Sequence, residues 1–273
     1  LVLVPCPNST GKEQRAASKW NQFETIFPAK LFWKILISPQ KYCFWPQKGL
    51  VIFLGGDQFW SVLLSARLGY MHMTYAEWIA RWPFWNDKIA AMSKKVKNQL
   101  PKKVKKRCVV VGDLMADINN NSKQLNPLSE GPWVALLPGS KKAKLIVGVP
   151  FFIELADELS KLLPNCKFLL PIAPTTNVEE VISLSGKKNP ISINYSSSIA
   201  MVKSASGAMP FKRLITNSGT EICLHEEYPA HEYLSQCDLA LTTVGANTAE
   251  LAALTIPMIV LIPTQYLSVM QAW

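Results

Sequence analysis

Short apolar runs without polar alternation recur along the chain, at Leu1 to Val4, Leu50 to Leu54, Tyr70 to Thr74, Cys108 to Val111, Val134 to Leu137, Lys167 to Pro171, Leu239 to Thr242 and Met258 to Ile262. Runs of this kind predict strands buried on both faces. Between them, segments with helical spacing, for instance Phe59 to Arg67, Pro150 to Leu163 and Thr248 to Leu254, predict helices. The alternation of strand and helix predicts parallel sheets built from βαβ units. Residues 119–132, rich in Asn, Ser, Pro and Gly, lack periodicity and separate one such series from the next. The expected organisation is therefore an N-terminal domain over 1–118, a linker over 119–132 and a C-terminal domain over 133–273. The Ser-rich segment Asn189 to Gly219 is long for a connection inside a compact domain, which predicts an irregular functional loop there.

Gly49 to Tyr70 and Leu251 to Met270 are long enough to span a membrane. The first is interrupted by Gly55, Gly56, Asp57 and Arg67, and the second by Pro257 and Pro263, so both are expected to be buried α/β elements. A chain of 273 residues with 49% hydrophobic content has material for two ordinary domains. Leu1 to Val4 is not preceded by a basic n-region, so no signal peptide is expected, and the chain is expected to begin and end inside a longer protein. Cys6, Cys43, Cys108, Cys166, Cys223 and Cys237 form no C-x-x-C pair, which fits a reduced, cytoplasmic setting.

Charge modifies the picture at one place. The net charge of +10 is concentrated in Lys94 to Arg107, which holds eight cations and no acid. Such a segment suits anionic lipid headgroups or nucleic acid, each cation near a membrane contributing roughly 1 kcal/mol. It equally suits a solvated helix face.

Candidate chemistry gathers at predicted strand ends. Asn8 to Glu13 follows an apolar run, but a phosphate loop of the Walker type needs Gly where Cys6 stands and Ser or Thr where Glu13 stands. Thr10 and Gly11 are then expected only to line a cleft. In Val134 to Lys142 a buried run ends in Pro138, Gly139 and Ser140, followed by Lys141, Lys142 and Lys144. A glycine lets backbone approach a ligand, and Ser with Lys offers donors for a diphosphate. In Leu239 to Leu251 the chain passes through Gly245 into a helix that Asn247 or Thr248 is expected to cap, with Glu250 in its first turn placed to accept from ribose hydroxyls or to complement the helix dipole. In Leu54 to Trp60, Asp57 is a carboxylate at a strand end, a position that suits a general base and equally an N-cap, with Gly56 and Gln58 beside it. Tyr75 to Trp85 is aromatic-rich and suits packing, an acyl chain or a sugar ring. His72, His225 and His231 have no metal-ligand spacing, and neither a metal nor another cofactor is expected.

In their order, these landmarks resemble the lipid-A-disaccharide synthase family of GT-B glycosyltransferases: Leu54 to Phe59, Tyr75 to Trp85, Val111 to Asp117, Leu136 to Lys141, and Gly245 to Glu250 followed by Pro257 to Val260. The resemblance implies an α/β fold of two Rossmann-like domains in GT-B architecture with an interdomain cleft, incomplete at both ends. It implies transfer of a sugar from a UDP-sugar to a lipid-linked acceptor at the inner membrane face, with Asp57 as catalytic acid/base, UDP contacted by Pro138, Gly139, Ser140, Gly245 and Glu250, and Asp113 on the acceptor side. The chain departs from the family pattern at Asp113, Lys141, Lys144, Val244 and Ala246. Two other readings carry forward: a UDP-N-acetylglucosamine 2-epimerase of the same fold, and a non-catalytic relative that uses Lys94 to Arg107 on a membrane or nucleic acid. Under the leading reading no nucleic-acid partner is expected.

Overall fold

The structure, a computed structural model, describes residues 1–6, 9, 11–116, 127–205 and 211–270. Its contacts divide the chain into two compact units, Leu1–Ala116 and Asp117–Trp273. Residues 119–126 of the expected linker lie outside the described residues, whereas Leu128 and Ser129 are hydrogen-bonded to Gln236 and Trp133.

The first unit contains, in order, α1 (Glu13–Ala17), α2 (Phe32–Ile37), β1 (Leu50–Phe53), α3 (Gln58–Leu68), β2 (Met71–Ala76), β3 (Lys88–Ala91), α4 (Lys94–Gln99), α5 (Lys102–Lys105) and β4 (Cys108–Val110). Its four strands are parallel and lie in sequence order, β1-β2-β3-β4. The register puts Phe53, Thr74, Ile89 and Cys108 in one row and Val51 beside His72. On the opposite face Leu50, Ile52, Met71 and Val109 are exposed. The expected strand over Leu1 to Val4 is only an isolated bridge between Val2 and Phe27, because the run packs on Phe27, Ile35 and Leu64 beside the sheet. Strand β3 escapes the sequence reading because Lys88-Ile-Ala-Ala is too short and too Ala-rich to stand out.

The second unit contains β5 (Trp133–Leu137), α6 (Lys142–Leu162), β6 (Lys167–Pro171), α7 (Val178–Ser185), β7 (Ile199–Lys203), β8 (Lys212–Thr216), β9 (Glu221–His225), α8 (His231–Leu234), β10 (Leu239–Thr242), α9 (Ala246–Ala253), β11 (Met258–Val260) and α10 (Leu267–Met270). The sheet order is β11-β10-β5-β6-β9-β8-β7. All five residues of β5 are buried, since successive side chains enter two different cores. Val134 and Leu136 join Leu145, Phe152 and Ile153 of α6, while Trp133, Ala135 and Leu137 join Leu234 and Leu251. Helices cover both faces, as a parallel sheet requires.

Two expectations fail here. The sheet is not wholly parallel, because β7 runs antiparallel to β8 and β8 antiparallel to β9. Strands β7 and β8 lie inside the segment Asn189 to Gly219 expected to be an irregular loop and β9 just beyond it; 206–210 lie outside the described residues. Their inward residues Leu214 and Ile222 are fully buried, but the flanking Lys and Glu residues hide that in the sequence. Helix α6 also begins well before Pro150, which sits inside it. Proline has no N–H to give to the carbonyl four residues back. That carbonyl, Ile146 O, accepts instead from Nδ2 of buried Asn189 at 2.7 Å, so the interior proline leaves no orphan acceptor.

Candidate functional site

In the second unit the chain leaves β5 for β6 on one side of it and returns through β10 on the other. The strand order reverses at the β5–β10 pair, and crevices that hold ligands in open α/β sheets form beyond the carboxyl ends of strands at such a point. The two ends are flush, Leu137 pairing with Thr242. Thr243 ties the following loops together, its N–H donating to Leu137 O at 3.2 Å and its hydroxyl to Pro138 O at 3.4 Å.

The loop after β5 is built for close approach. Gly139 has φ +109°, and a Cβ there would stand 3.1 Å from Lys144 Cβ and 3.3 Å from Thr243 Oγ1. Helix α6 packs against the loop at Gly148, where a Cβ would stand 2.6 Å from Pro138 O. Pro138 is buried, Gly139 and Lys141 are half-buried and Ser140 is exposed. No side chain caps α6, whose first turn follows Lys141 directly.

Lys144 is the residue that joins the two loops. It is 6% exposed, and its Nζ donates to Val244 O, the carbonyl just before Gly245. Burial first, and then the nearby Lys141, push its pKa below the ordinary lysine value. A buried ammonium that gives one of its three N–H donors to Val244 O has the charge to attract an anion. The sequence shows Lys144 as a third lysine after the loop and a departure from the resembled family; its burial follows from the helical spacing of Lys144, Leu145 and Gly148 on the sheet side of α6.

The helix after β10 differs in detail from expectation. Gly245 occupies the N-cap position of α9, so neither Asn247 nor Thr248 caps it. The Thr248 hydroxyl donates to Gly245 O at 2.7 Å, which leaves the first-turn N–H groups without a side-chain cap. Because α9 begins at Ala246, Glu250 lies in its second turn and is not a dipole partner. Its Oε1 is 2.7 Å from His231 Nε2 at the start of α8. His231 carries no sequence signal, since the pairing needs β10 to return beside α8. Tyr228 stands near enough that burial and then the Glu250 charge raise its phenol pKa.

In the first unit, a cavity of about 450 Å³ opens at the strand ends, lined by Gly55, Gly56, Asp57, Gln58, Tyr75 and Glu77 among others. Asp57 is the N-cap of α3, its Oδ1 accepting from Phe59 N–H at 3.0 Å, and it is exposed. Gln58 is buried and pins the next strand-end loop, accepting from Arg81 N–H at 2.6 Å and donating to Ile79 O at 2.8 Å. Asp113 follows β4 and accepts from Met115 N–H at 2.9 Å. Between them Tyr75 donates to Gly112 O at 3.4 Å and accepts from Leu114 N–H at 3.2 Å. Its pKa is raised by burial above all, with Asp113 and Glu77 adding to the effect. Gly11 lies at φ +79° between Ser9 and Glu13, whose side chains bond each other at 2.8 Å. Thr10 lies outside the described residues.

All six cysteines are free thiols, and burial pushes Cys223 to about 11 and Cys237 to about 12, as expected for small core hydrophobes. Among the described residues no group of three or more His, Cys, Asp or Glu side chains is placed to hold a metal ion, and no helix is long and apolar enough to cross a membrane.

No protein-family model and no curated protein matches the sequence. Solved structures do match. A structure of a putative UDP-N-acetylglucosamine 2-epimerase from Listeria monocytogenes aligns with TM-score 0.51 and 14% identity over 86% of this chain and 62% of that one. The S. aureus MnaA–UDP co-structure aligns with TM-score 0.54 and 12% identity, covering 95% and 77% of the two chains. UDP-GlcNAc 2-epimerase from Neisseria meningitidis bound to UDP-GlcNAc aligns with TM-score 0.52 and 14% identity, covering 96% and 67%. The chain therefore has the α/β, GT-B-like fold of two Rossmann-type units, and spans about 62% of the Listeria protein. These neighbours correct the reading as a lipid-A-disaccharide synthase, and with it the lipid-linked sugar transfer. The ordered landmarks that carried that reading are strand ends and helix starts, features set by the shared fold rather than by any acceptor.

Proposed function

We propose that the second unit binds the diphosphate of a UDP-sugar at the β5–β10 crossover, and that the protein is an enzyme of the UDP-N-acetylglucosamine 2-epimerase type. The observation that carries the reading is buried Lys144, held between two glycine-containing strand ends where the strand order reverses. The start of α6 and the uncapped start of α9 add N–H donors to the lysine cation. Gly139 gives the pyrophosphate a backbone it can approach, and Ser140 and Lys141 stand at the exposed rim. Glu250 offers its carboxylate to the ribose hydroxyls, oriented by His231. Neighbours with the same fold that were solved with UDP or UDP-GlcNAc bound support the choice of ligand.

Inverting C2 by proton exchange removes the C2 proton as the C1–O bond to UDP breaks and a C1=C2 double bond forms, then returns a proton to the other face of C2 as UDP bonds to C1 again. Within the first unit, Asp57 and Glu77 line the strand-end cavity and are carboxylates able to take up and return a proton. The test is incubation with UDP-N-acetylglucosamine in deuterium oxide, followed by proton NMR. The 2-epimer with deuterium at C2 is the expected product. Unchanged substrate in the presence of measurable UDP binding rejects the epimerase reading, and absence of UDP binding rejects the site itself.

A further inference from the structure

Residues 77–85 leave β2 and return to β3 with their large apolar side chains exposed, Ala80 alone turning into the core. Trp78 is 76% exposed, Phe84 61% and Trp85 59%, with Ile79 and Trp82 also exposed. The loop is not free to relax and bury them. Gln58 grips its backbone at Ile79 and Arg81, and buried Asn86 donates to Arg81 O at 3.4 Å and Trp82 O at 3.0 Å. Trp82 is held at φ +54°, an uncommon backbone state for a bulky residue. A scaffold of buried amides thus presents an aromatic cluster to solvent.

The basic segment packs against the same scaffold. Val96 and Leu100 of the α4 region and Val104 of α5 share one core with Ala76 and Ala80, and Arg107 donates to Asn86 O at 3.3 Å. With those apolar residues turned inward, Lys94, Lys95, Lys102, Lys103 and Lys106 are exposed. Asp87, the acid at the loop's end, is engaged by the His72 N–H at 2.8 Å, and Glu77 lines the strand-end cavity.

We propose that the aromatic loop 77–85 and the basic helices α4 and α5 form one docking surface for an anionic phospholipid bilayer. Aromatic and aliphatic side chains beside lysines whose stems are apolar are what a headgroup interface accommodates. Single-stranded nucleic acid fits less well. Bases stack on free ring faces, which only Trp78 and Phe84 offer here, since Trp82 and Trp85 stack on each other with centroids 5.5 Å apart and Ile79 has no ring. The surface lies within the first unit and does not depend on the UDP-sugar reading.

Co-sedimentation of the full chain with vesicles tests it, comparing phosphatidylcholine alone with phosphatidylcholine containing phosphatidylglycerol. Binding is expected only to the anionic vesicles and to weaken with salt. Replacing Lys94, Lys95, Lys102 and Lys103 by Gln is expected to lower the partition coefficient by roughly two to three orders of magnitude. The Trp78→Ser, Phe84→Ser double variant, folded by circular dichroism, is expected to reduce binding in both low and high salt. Absence of binding to anionic vesicles overturns the proposal, as does binding that neither set of substitutions alters. Tight binding of a fluorescent oligouridine by a protein that ignores the vesicles overturns it in favour of nucleic acid.

Discussion

The two sheets of this chain end in different chemistry. In the second unit the strand order reverses at β5–β10, and what gathers at the reversal is cationic and amide-rich: Lys144, Gly139 and the starts of α6 and α9. In the first unit the described strands run in sequence order without a reversal, and their ends carry Asp57, Glu77 and Asp113 around Tyr75. One end is suited to hold an anion and the other to move protons. The sheets also differ in cover, since the second is enclosed by two cores whereas the first leaves Leu50, Ile52, Met71 and Val109 in solvent. The same βαβ grammar thus presents different side chains at its strand ends according to where the strand order turns.

The largest expected effect concerns the proton-handling end. Asn is as good an N-cap as Asp, so Asp57→Asn is expected to leave stability intact while slowing C2 deuterium exchange by about 100-fold or more. Unchanged exchange removes Asp57 from the chemistry. In the enclosed sheet, Phe152→Ala is expected to cost about 3 to 5 kcal/mol in urea unfolding, because Phe152 is 1% exposed in the core. Asn189→Ala is expected to cost about 1 to 3 kcal/mol by stranding Ile146 O beside Pro150, and the double variant Asn189→Ala, Pro150→Ala is expected to recover part of that loss.

Each unit contains one buried histidine with a lowered pKa, caused first by burial for both His72 and His225. Depressed folded-state values mean that the unfolded chain binds the proton more readily. Their stabilising contribution is therefore complete above the unfolded value of 6.5 and is lost as pH falls through the lower folded values. Urea midpoints are expected to fall between about pH 7.5 and about pH 5.5, and the drop is expected to shrink in His225→Phe. At the small end of the scale, Ile52→Ser on the open face is expected to change stability by no more than about 0.5 kcal/mol, a difference from Phe152 that expresses the contrast between the sheets.

What the residues reveal in advance depends on how local the cause is. Strand β10 is legible to the residue because its apolar run Leu239 to Leu241 is enclosed on both faces. Strand β9 is not, since only Ile222, Cys223 and Leu224 form its core and Glu221 precedes them. The start of α6 is masked by Pro150, and its tolerance there depends on Asn189, far along the chain. At the site, Gly139 and Gly245 are readable as strand-end glycines. The His231–Glu250 pair and the Lys144 bridge to Val244 are not, because each links segments that only the sheet order brings together. The order of such landmarks identifies a fold and leaves the reaction open, which is why the lipid-A resemblance did not survive comparison with the epimerase structures.

The proposed diphosphate site stands on Lys144. Isothermal titration of UDP into the full chain, the Lys144→Ala variant and the Asp57→Asn variant tests it most directly. Saturable binding is predicted for the first, about 10- to 100-fold weaker binding for the second, the worth of one charge-assisted contact, and unaltered affinity for the third. Failure of the full chain to bind UDP, or equal affinity with and without the Lys144 side chain, would contradict it.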